Sequence, residues 1–291
     1  MGIYFRDVTF SYNKKSNPVF EKINLKIDSQ NDFIALIGKI GSGKSTLVQL
    51  MNGLLTPNEG CVDVFGNKID KKTSPRDLIS FRKKIGLVFQ FPENQIFENT
   101  VLKDVMFGPK NFNKNDDEAK QKAIEALEQV NFPNDLFENS PFRLSEGQQR
   151  KVAIAGILAI EPSILVLDEP TRGLDGNNQR QIMEFLQQKH KKDKKTIIFI
   201  THDINLVAEY ANKILFLEEG KIAFFGSKED FFDDEQFFSR LNFLVPRTFD
   251  ILKFLNKKIG IPFEYKYSYI QLLKYLKKFC EGDEKIDEIE Y

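Results

Sequence analysis

The chain has 291 residues, enough for one large or two modest domains around a sizeable core. Its 42 Lys and Arg balance 42 Asp and Glu, so no global field draws it toward nucleic acid or an anionic membrane. Cys61 and Cys280 match no metal-ligand spacing and are expected to be free thiols.

No charged-then-apolar leader opens the chain and no apolar run approaches the ~18 residues of a membrane span. The expectation is a soluble cytoplasmic protein that serves a membrane process only by docking onto a partner that supplies the spans.

In chain order, Val8, Phe10 and Tyr12 alternate on one strand face, and Phe20, Ile23, Leu25 and Ile27 form a second strand-like stretch. The apolar run Phe33 to Ile37 meets a glycine-rich turn and then a helix beginning near Lys44. Similar runs recur at Ile164 to Leu167 and Thr196 to Ile200, with helical segments between them. Such runs suit parallel strands buried on both faces and predict an α/β core.

Residues 91 to 160 differ. They carry helical patterning over Asp116 to Val130 and Ser145 to Ile160, broken at Pro109 to Asn115 and Phe132 to Pro141. They are expected to form a helical subdomain inserted into a domain spanning residues 1 to 226. From residue 227 a helical extension follows. Phe249, Leu252, Leu255 and Ile259 share one face, Gly260-Ile261-Pro262 breaks it, and Leu272, Leu273, Leu276 and Phe279 share another. The acidic tail from Glu281 to Tyr291 is expected to fray.

Gly38-Lys39-Ile40-Gly41-Ser42-Gly43-Lys44-Ser45, followed by Thr46, fits the phosphate-loop pattern. Gly38, Gly41 and Gly43 let the backbone wrap, Ser42 lies within the wrap, and the loop's N–H groups and a helix N-terminus attract phosphate oxygens. Lys44 suits the β and γ oxygens, and the Ser45 hydroxyl suits Mg²⁺. A buried strand ending in Asp168-Glu169 offers one acid for the Mg²⁺ shell and one to orient and deprotonate an attacking water. In Leu144-Ser145-Glu146-Gly147-Gln148, Ser145 and Gln148 have the spacing of a capping box, and the end it opens is itself an anion site.

These residues resemble ABC ATPases over about residues 3 to 230. Leu144 to Gln148 looks like the family signature, lying between the phosphate loop and Asp168-Glu169. Tyr12 resembles the aromatic that stacks on adenine, and Gln90 the glutamine that senses Mg²⁺ and water and touches the membrane partner. Gly173-Leu174-Asp175 resembles the D-loop, and His202 the switch histidine that contacts γ-phosphate. His190, in a Lys-rich stretch, is expected on the solvated surface. Phe89 to Phe97, Phe107 to Phe112 and Val152 to Gly156 look like the ATPases of energy-coupling factor transporters, most of all the second of their two paired types. One departure is Glu146, where the family has glycine. Its carboxylate either turns to solvent or weakens the site it faces.

The resemblance implies an ABC-type phosphate-loop fold with a mixed sheet core. It also implies a head-to-tail pair with a second, paralogous ATPase, in which Ser145, Gly147 and Gln148 here cover the partner's ATP. An integral membrane coupling subunit and a small-molecule-binding membrane subunit complete the expected importer of a vitamin or metal ion. The chain would lie on the cytoplasmic face of the membrane and would not contact nucleic acid. A soluble ABC protein of nucleic acid or translation is the rival reading. It lacks support, because no coiled-coil or zinc insertion and no second cassette is evident. A non-hydrolysing regulatory subunit is a further rival, opposed by Glu169 and His202.

Overall fold

The computed structural model describes residues 2–13, 17–28, 31–112, 115–234 and 245–280. Strands β1 (Gly2–Phe10), β2 (Phe20–Asp28), β4 (Glu59–Val64) and β5 (Asn67–Ile69) form a sheet of order β2-β1-β4-β5, antiparallel throughout. In β2, Phe20, Ile23, Leu25 and Ile27 are buried while Lys22, Asn24 and Lys26 face water, the period-two pattern of a half-buried strand.

A six-stranded sheet has the order β10-β9-β3-β8-β7-β6. It contains β3 (Phe33–Gly38), β6 (Ile85–Val88), β7 (Ile164–Asp168), β8 (Thr196–Ile200), β9 (Lys213–Glu218) and β10 (Lys221–Ser227). All its pairings are parallel except β10 with β9, so this is a mixed sheet. Every residue of β3, β6, β7 and β8 is buried, as continuous apolar strands require. Helix α1 (Lys44–Asn52) joins the two sheets: Leu47, Leu50 and Met51 share one cluster with Ile3 and Val62 of the first and Ile34 and Val166 of the second.

Helices α2 (Pro75–Lys84), α3 (Val101–Asn111), α4 (Asp116–Gln129) and α5 (Glu146–Leu158) follow β5, with β6 between α2 and α3. On α4, Ala119, Ala123, Ala126 and Leu127 are buried at helical spacing. The break expected from Pro109 comes later than the sequence suggests, because α3 runs through Pro109 to Asn111. Proline there removes the N–H that would donate to the Val105 carbonyl, and the helix ends within a turn, where Phe112 N–H donates to the Pro109 carbonyl at 3.1 Å. His190 also differs from expectation. It lies in the last turn of α6 (Gly176–Asp193), half-buried, stacked on Phe33 with ring centroids 5.5 Å apart and Nδ1 3.1 Å from the Lys195 carbonyl oxygen. A Lys-rich neighbourhood concealed a packed imidazole.

The chain divides into two compact units. One holds both sheets and α1 to α6. The other holds α7 (Ile204–Tyr210) together with α8 (Lys228–Asp233), α9 (Arg247–Ile259) and α10 (Tyr269–Cys280). In the second, Leu252, Ile261, Leu272 and Tyr275 make a small core, and Gly260 ends α9 with φ 77°. The faces read from sequence are rotated here. Leu273 is 60 % exposed and Ile259 67 %, while Tyr275 turns inward at i+3 from Leu272. The tail from Glu281 to Tyr291 and the Cys280 side chain lie outside the described residues. Among the described residues, no helix is long and apolar enough to cross a membrane.

Candidate functional site

Strand register brings the chemistry together. Leu36 and Asp168 both pair with Ile200, and Val88 pairs with Leu167. The four parallel strands β3, β8, β7 and β6 therefore end level, and the segments after them leave from one edge. Those segments hold the phosphate loop, Thr201-His202, Glu169 and Phe89-Gln90. Carboxyl edges of parallel strands are where α/β sheets bind ligands.

The loop from Gly38 to Gly43 reaches α1 through backbone that only glycine adopts easily, with φ 152° at Gly38, 82° at Gly41 and 101° at Gly43. A Cβ at Gly38 would lie 2.3 Å from the Leu217 carbonyl oxygen. Gly43 caps α1 with no side-chain acceptor, and the first turn carries no acid, so its N–H groups face outward as an anion cradle. Lys44 Nζ bridges the loop, donating to the carbonyls of Gly38 at 2.8 Å and Lys39 at 2.9 Å. Burial pushes its pKa down, against the pull of Glu169 and Asp168. Ser42 Oγ is buried with no partner among the described atoms.

Ser45 Oγ donates to Asp168 Oδ2 at 2.9 Å. Asp168 is 8 % exposed, and burial raises its pKa, reinforced by Glu169 and opposed by Ser45 and Lys44. Glu169 holds a left-handed backbone at φ 51° and accepts from His202 Nδ1–H at 2.9 Å. The carboxylate is nearly buried, with its side chain 11 % exposed, while the imidazole stands 75 % in solvent. A positive φ at a non-glycine residue is strain of on the order of 1–3 kcal/mol, and it turns the second acid away from the line of the first. Gln90 lines an open cleft of about 680 Å³ with Ser45, Gln49, Gln95 and Asp168. Tyr12 sits on the other flank. Its hydroxyl is 2.9 Å from Thr46 Oγ1 on buried Thr46, its edge meets Phe10, and 58 % of the residue is exposed.

The remaining sequence-predicted residues stand apart from this edge. Ser145 caps α5 with both halves of a capping box: Gln148 N–H donates to Ser145 Oγ at 3.4 Å, and Ser145 N–H donates to Gln148 Oε1 at 3.0 Å. Ser145 and Glu146 are exposed, and a Cβ added to Gly147 would meet nothing within 4 Å. Asp175 caps α6, accepting from the N–H groups of Asn177 and Asn178, whose bonds hold its carboxyl below the usual range, the Asn178 backbone bond most of all. Among the described residues, no hydrogen bond or ion pair links Ser145, Gly147, Gln148 or Asp175 to the phosphate loop.

Sequence reading missed two arginines. Arg150, 5 % exposed on α5, donates to the carbonyls of Pro170 and Arg172, and the Arg172 guanidinium lies 5.5 Å from the Phe91 ring centroid. Nothing in the local pattern marks Arg150, because its partners lie 20 and 22 residues away.

This chemistry fits a nucleotide phosphate chain. It offers free N–H groups, a cation and an orphaned buried hydroxyl where an anion would sit. It also fits Mg²⁺. Among the described residues no cluster of three or more His, Cys, Asp or Glu could hold a metal alone. One hydroxyl and one carboxylate suit an ion that completes its shell with phosphate and water.

A family model described as "ABC transporter" matches residues 20–172. The chain is 46 % identical over 265 residues to the energy-coupling factor transporter ATP-binding protein EcfA2 of Ligilactobacillus salivarius, covering 90 % of this chain and 91 % of that protein. The protein of the same name from Streptococcus pneumoniae is 44 % identical, covering 91 % and 95 %. Among solved structures, cbiO1 from Clostridium perfringens, part of the ABC transporter complex cbiONQ, aligns with a TM-score of 0.72 at 32 % identity over 88 % of this chain and 95 % of its own. The ATP-binding cassette MJ0796, a dimer bound to ADP and Pi, aligns with a TM-score of 0.69 at 31 % identity, covering 77 % and 98 %.

Proposed function

The chain belongs to the ABC transporter family and, within it, to the energy-coupling factor transporter ATP-binding proteins, and on that premise we propose that it hydrolyses ATP in a site closed by a second, paralogous ATPase subunit. ATP binding and hydrolysis coupled to transport follow from the membership itself. The observation that carries the finer reading is the split of the predicted residues. Lys44, Ser45, Asp168, Glu169 and His202 gather at one sheet edge, whereas Ser145, Gly147, Gln148 and Asp175 lie at the N-terminal caps of α5 and α6 and, among the described residues, make no hydrogen bond or ion pair to the phosphate loop.

In this reading Tyr12 stacks on the base while the loop N–H groups and Lys44 grip the phosphates. Ser45 and Asp168, with Gln90 across the cleft, hold Mg²⁺, which supplies charge neutralisation to the phosphate oxygens. Glu169 orients the attacking water and accepts its proton. His202 keeps that carboxylate in place through Nδ1 and presents its exposed edge to the γ-phosphate. Ser145, Gly147 and Gln148 cover the partner's ATP in a head-to-tail pair, and the dimeric MJ0796 cassette with ADP and Pi supports that arrangement.

A cavity of about 470 Å³ lined by Phe97, Phe107, Phe112 and Ile157, with Asp104 at its wall, suits a short helix of the membrane coupling subunit. Gln95 lines both this cavity and the cleft at Asp168, so docking and nucleotide share a wall. The place of cbiO1 in a multi-subunit complex supports a peripheral position at the cytoplasmic membrane face. Choice of a vitamin or metal ion then rests with a separate membrane subunit.

The test uses the complex purified from membranes in mild detergent and rebuilt in liposomes. Lys44→Ala is expected to lower ATPase turnover by about 100-fold or more and to abolish uptake. Uptake at the wild-type rate would overturn the reading. The proteins that co-purify identify the second ATPase and the membrane subunits.

A further inference from the structure

Non-glycine residues keep a left-handed backbone only where their surroundings hold them there. Glu169 N–H is tied to the Ile200 carbonyl at 3.0 Å, and the turn that follows it is held from α5. Arg172 N–H closes the turn onto the Glu169 carbonyl at 3.2 Å. Arg150 Nη1 then donates to the next carbonyls, Pro170 O at 3.2 Å and Arg172 O at 2.7 Å. A guanidinium is always charged, and one of its terminal NH2 groups here serves two acceptors of a single turn from a buried position. On the far side, the Arg172 side chain rests over Phe91, next to Gln90.

We propose that Arg150 is the positioning residue for Glu169, making the helix that opens at Ser145 and the turn that carries Glu169 a single mechanical body. Arg150 itself touches no substrate. It acts by fixing the main chain from which the Glu169 carboxylate reaches His202. The proposal rests on the paired-subunit reading in one respect. If Ser145 contacts the partner's nucleotide while Glu169 serves its own, a shift of α5 caused at one site is delivered to the acid of the other. Arg150 is then a physical route by which the two ATP sites sense each other.

The experiment compares wild type, Arg150→Gln and Arg150→Lys in the assembled transporter. It measures turnover against ATP concentration, binding of a fluorescent ATP analogue, and the melting temperature. A glutamine is too short to reach both carbonyls, whereas a lysine cation can hold one. The expected result is a kcat at least tenfold lower in Arg150→Gln, analogue affinity within twofold of wild type, and partial recovery of kcat in Arg150→Lys. Cooperativity in ATP should fall with kcat. An unchanged kcat overturns the proposal. So does a joint loss of turnover, binding and melting temperature with lysine no better than glutamine, which would reduce Arg150 to a core residue. Should wild type itself show no cooperativity, the paired-site reading fails, while the order Arg, Lys, Gln in kcat still decides the role of Arg150.

Discussion

Asp168 is a residue whose chemistry opposes the fold that carries it. Burial raises its pKa above the ordinary carboxylate value, so the folded state holds that proton more tightly than the unfolded chain does. Its contribution to stability is therefore fully present below the unfolded value, near pH 4, and is lost as pH rises through the raised one. Asp168→Asn removes the burdened charge. At pH 7 the empty variant is expected to match wild type or exceed it by on the order of 1 kcal/mol, about 2–4 °C, and to lack the acid-side slope. Its turnover should collapse. Calorimetry from pH 4 to 8 checks this, and a variant that melts well below wild type at neutral pH would refute it. Burial likewise burdens the Lys44 cation, lowering its pKa, but with the opposite dependence on pH: that cost is relieved as pH rises through the lowered value.

At the scale of the element, α5 does two jobs at one end. The capping box at Ser145 satisfies N–H groups that every helix leaves open, and removing such a cap costs about 1 kcal/mol. Ser145→Ala should therefore lower urea-unfolding stability by about that amount and leave nucleotide binding by the isolated chain unchanged. Turnover of the assembled pair should drop further than this stability loss explains. Equal wild-type turnover in the pair would show that the cap is structural only. The helix also shows where sequence reading stops. Its start was legible because Ser145 and Gln148 are neighbours in the chain. Its grip on Pro170 and Arg172 was not, because nothing in the local spacing of α5 points to a turn 20 residues on.

For the whole molecule, the same division holds. The run into Gly38, the loop and α1 were readable because strand, turn and helix signals lie end to end. β5 is three residues long and β4 is exposed over its first two, so neither carries a pattern that stands out without its neighbours. Tyr275 took the place expected of Leu273 because only packing fixes the rotation of a helix whose apolar residues extend round much of its surface. The two compact units carry separate buried clusters, one around α1 and one around Leu252 and Leu272. Mg·ATP at 100 times its Kd stabilises the state that binds it by about 2.7 kcal/mol. Hydrogen exchange should slow strongly in β3 and α1 on adding it, and far less in α9 and α10. Equal protection in both would argue against separate cores.

One of the loop glycines sets what its neighbours can and cannot accommodate. What crowds a side chain at Gly38 most closely is the main-chain oxygen of Leu217, an atom every amino acid at that position would present, with Ser42 Oγ next at 2.7 Å. Where a side chain is the obstacle, a smaller neighbour can make room. Here trimming Ser42 would leave the Leu217 oxygen in place, so a smaller neighbour makes no room and any other residue at position 38 must move main chain.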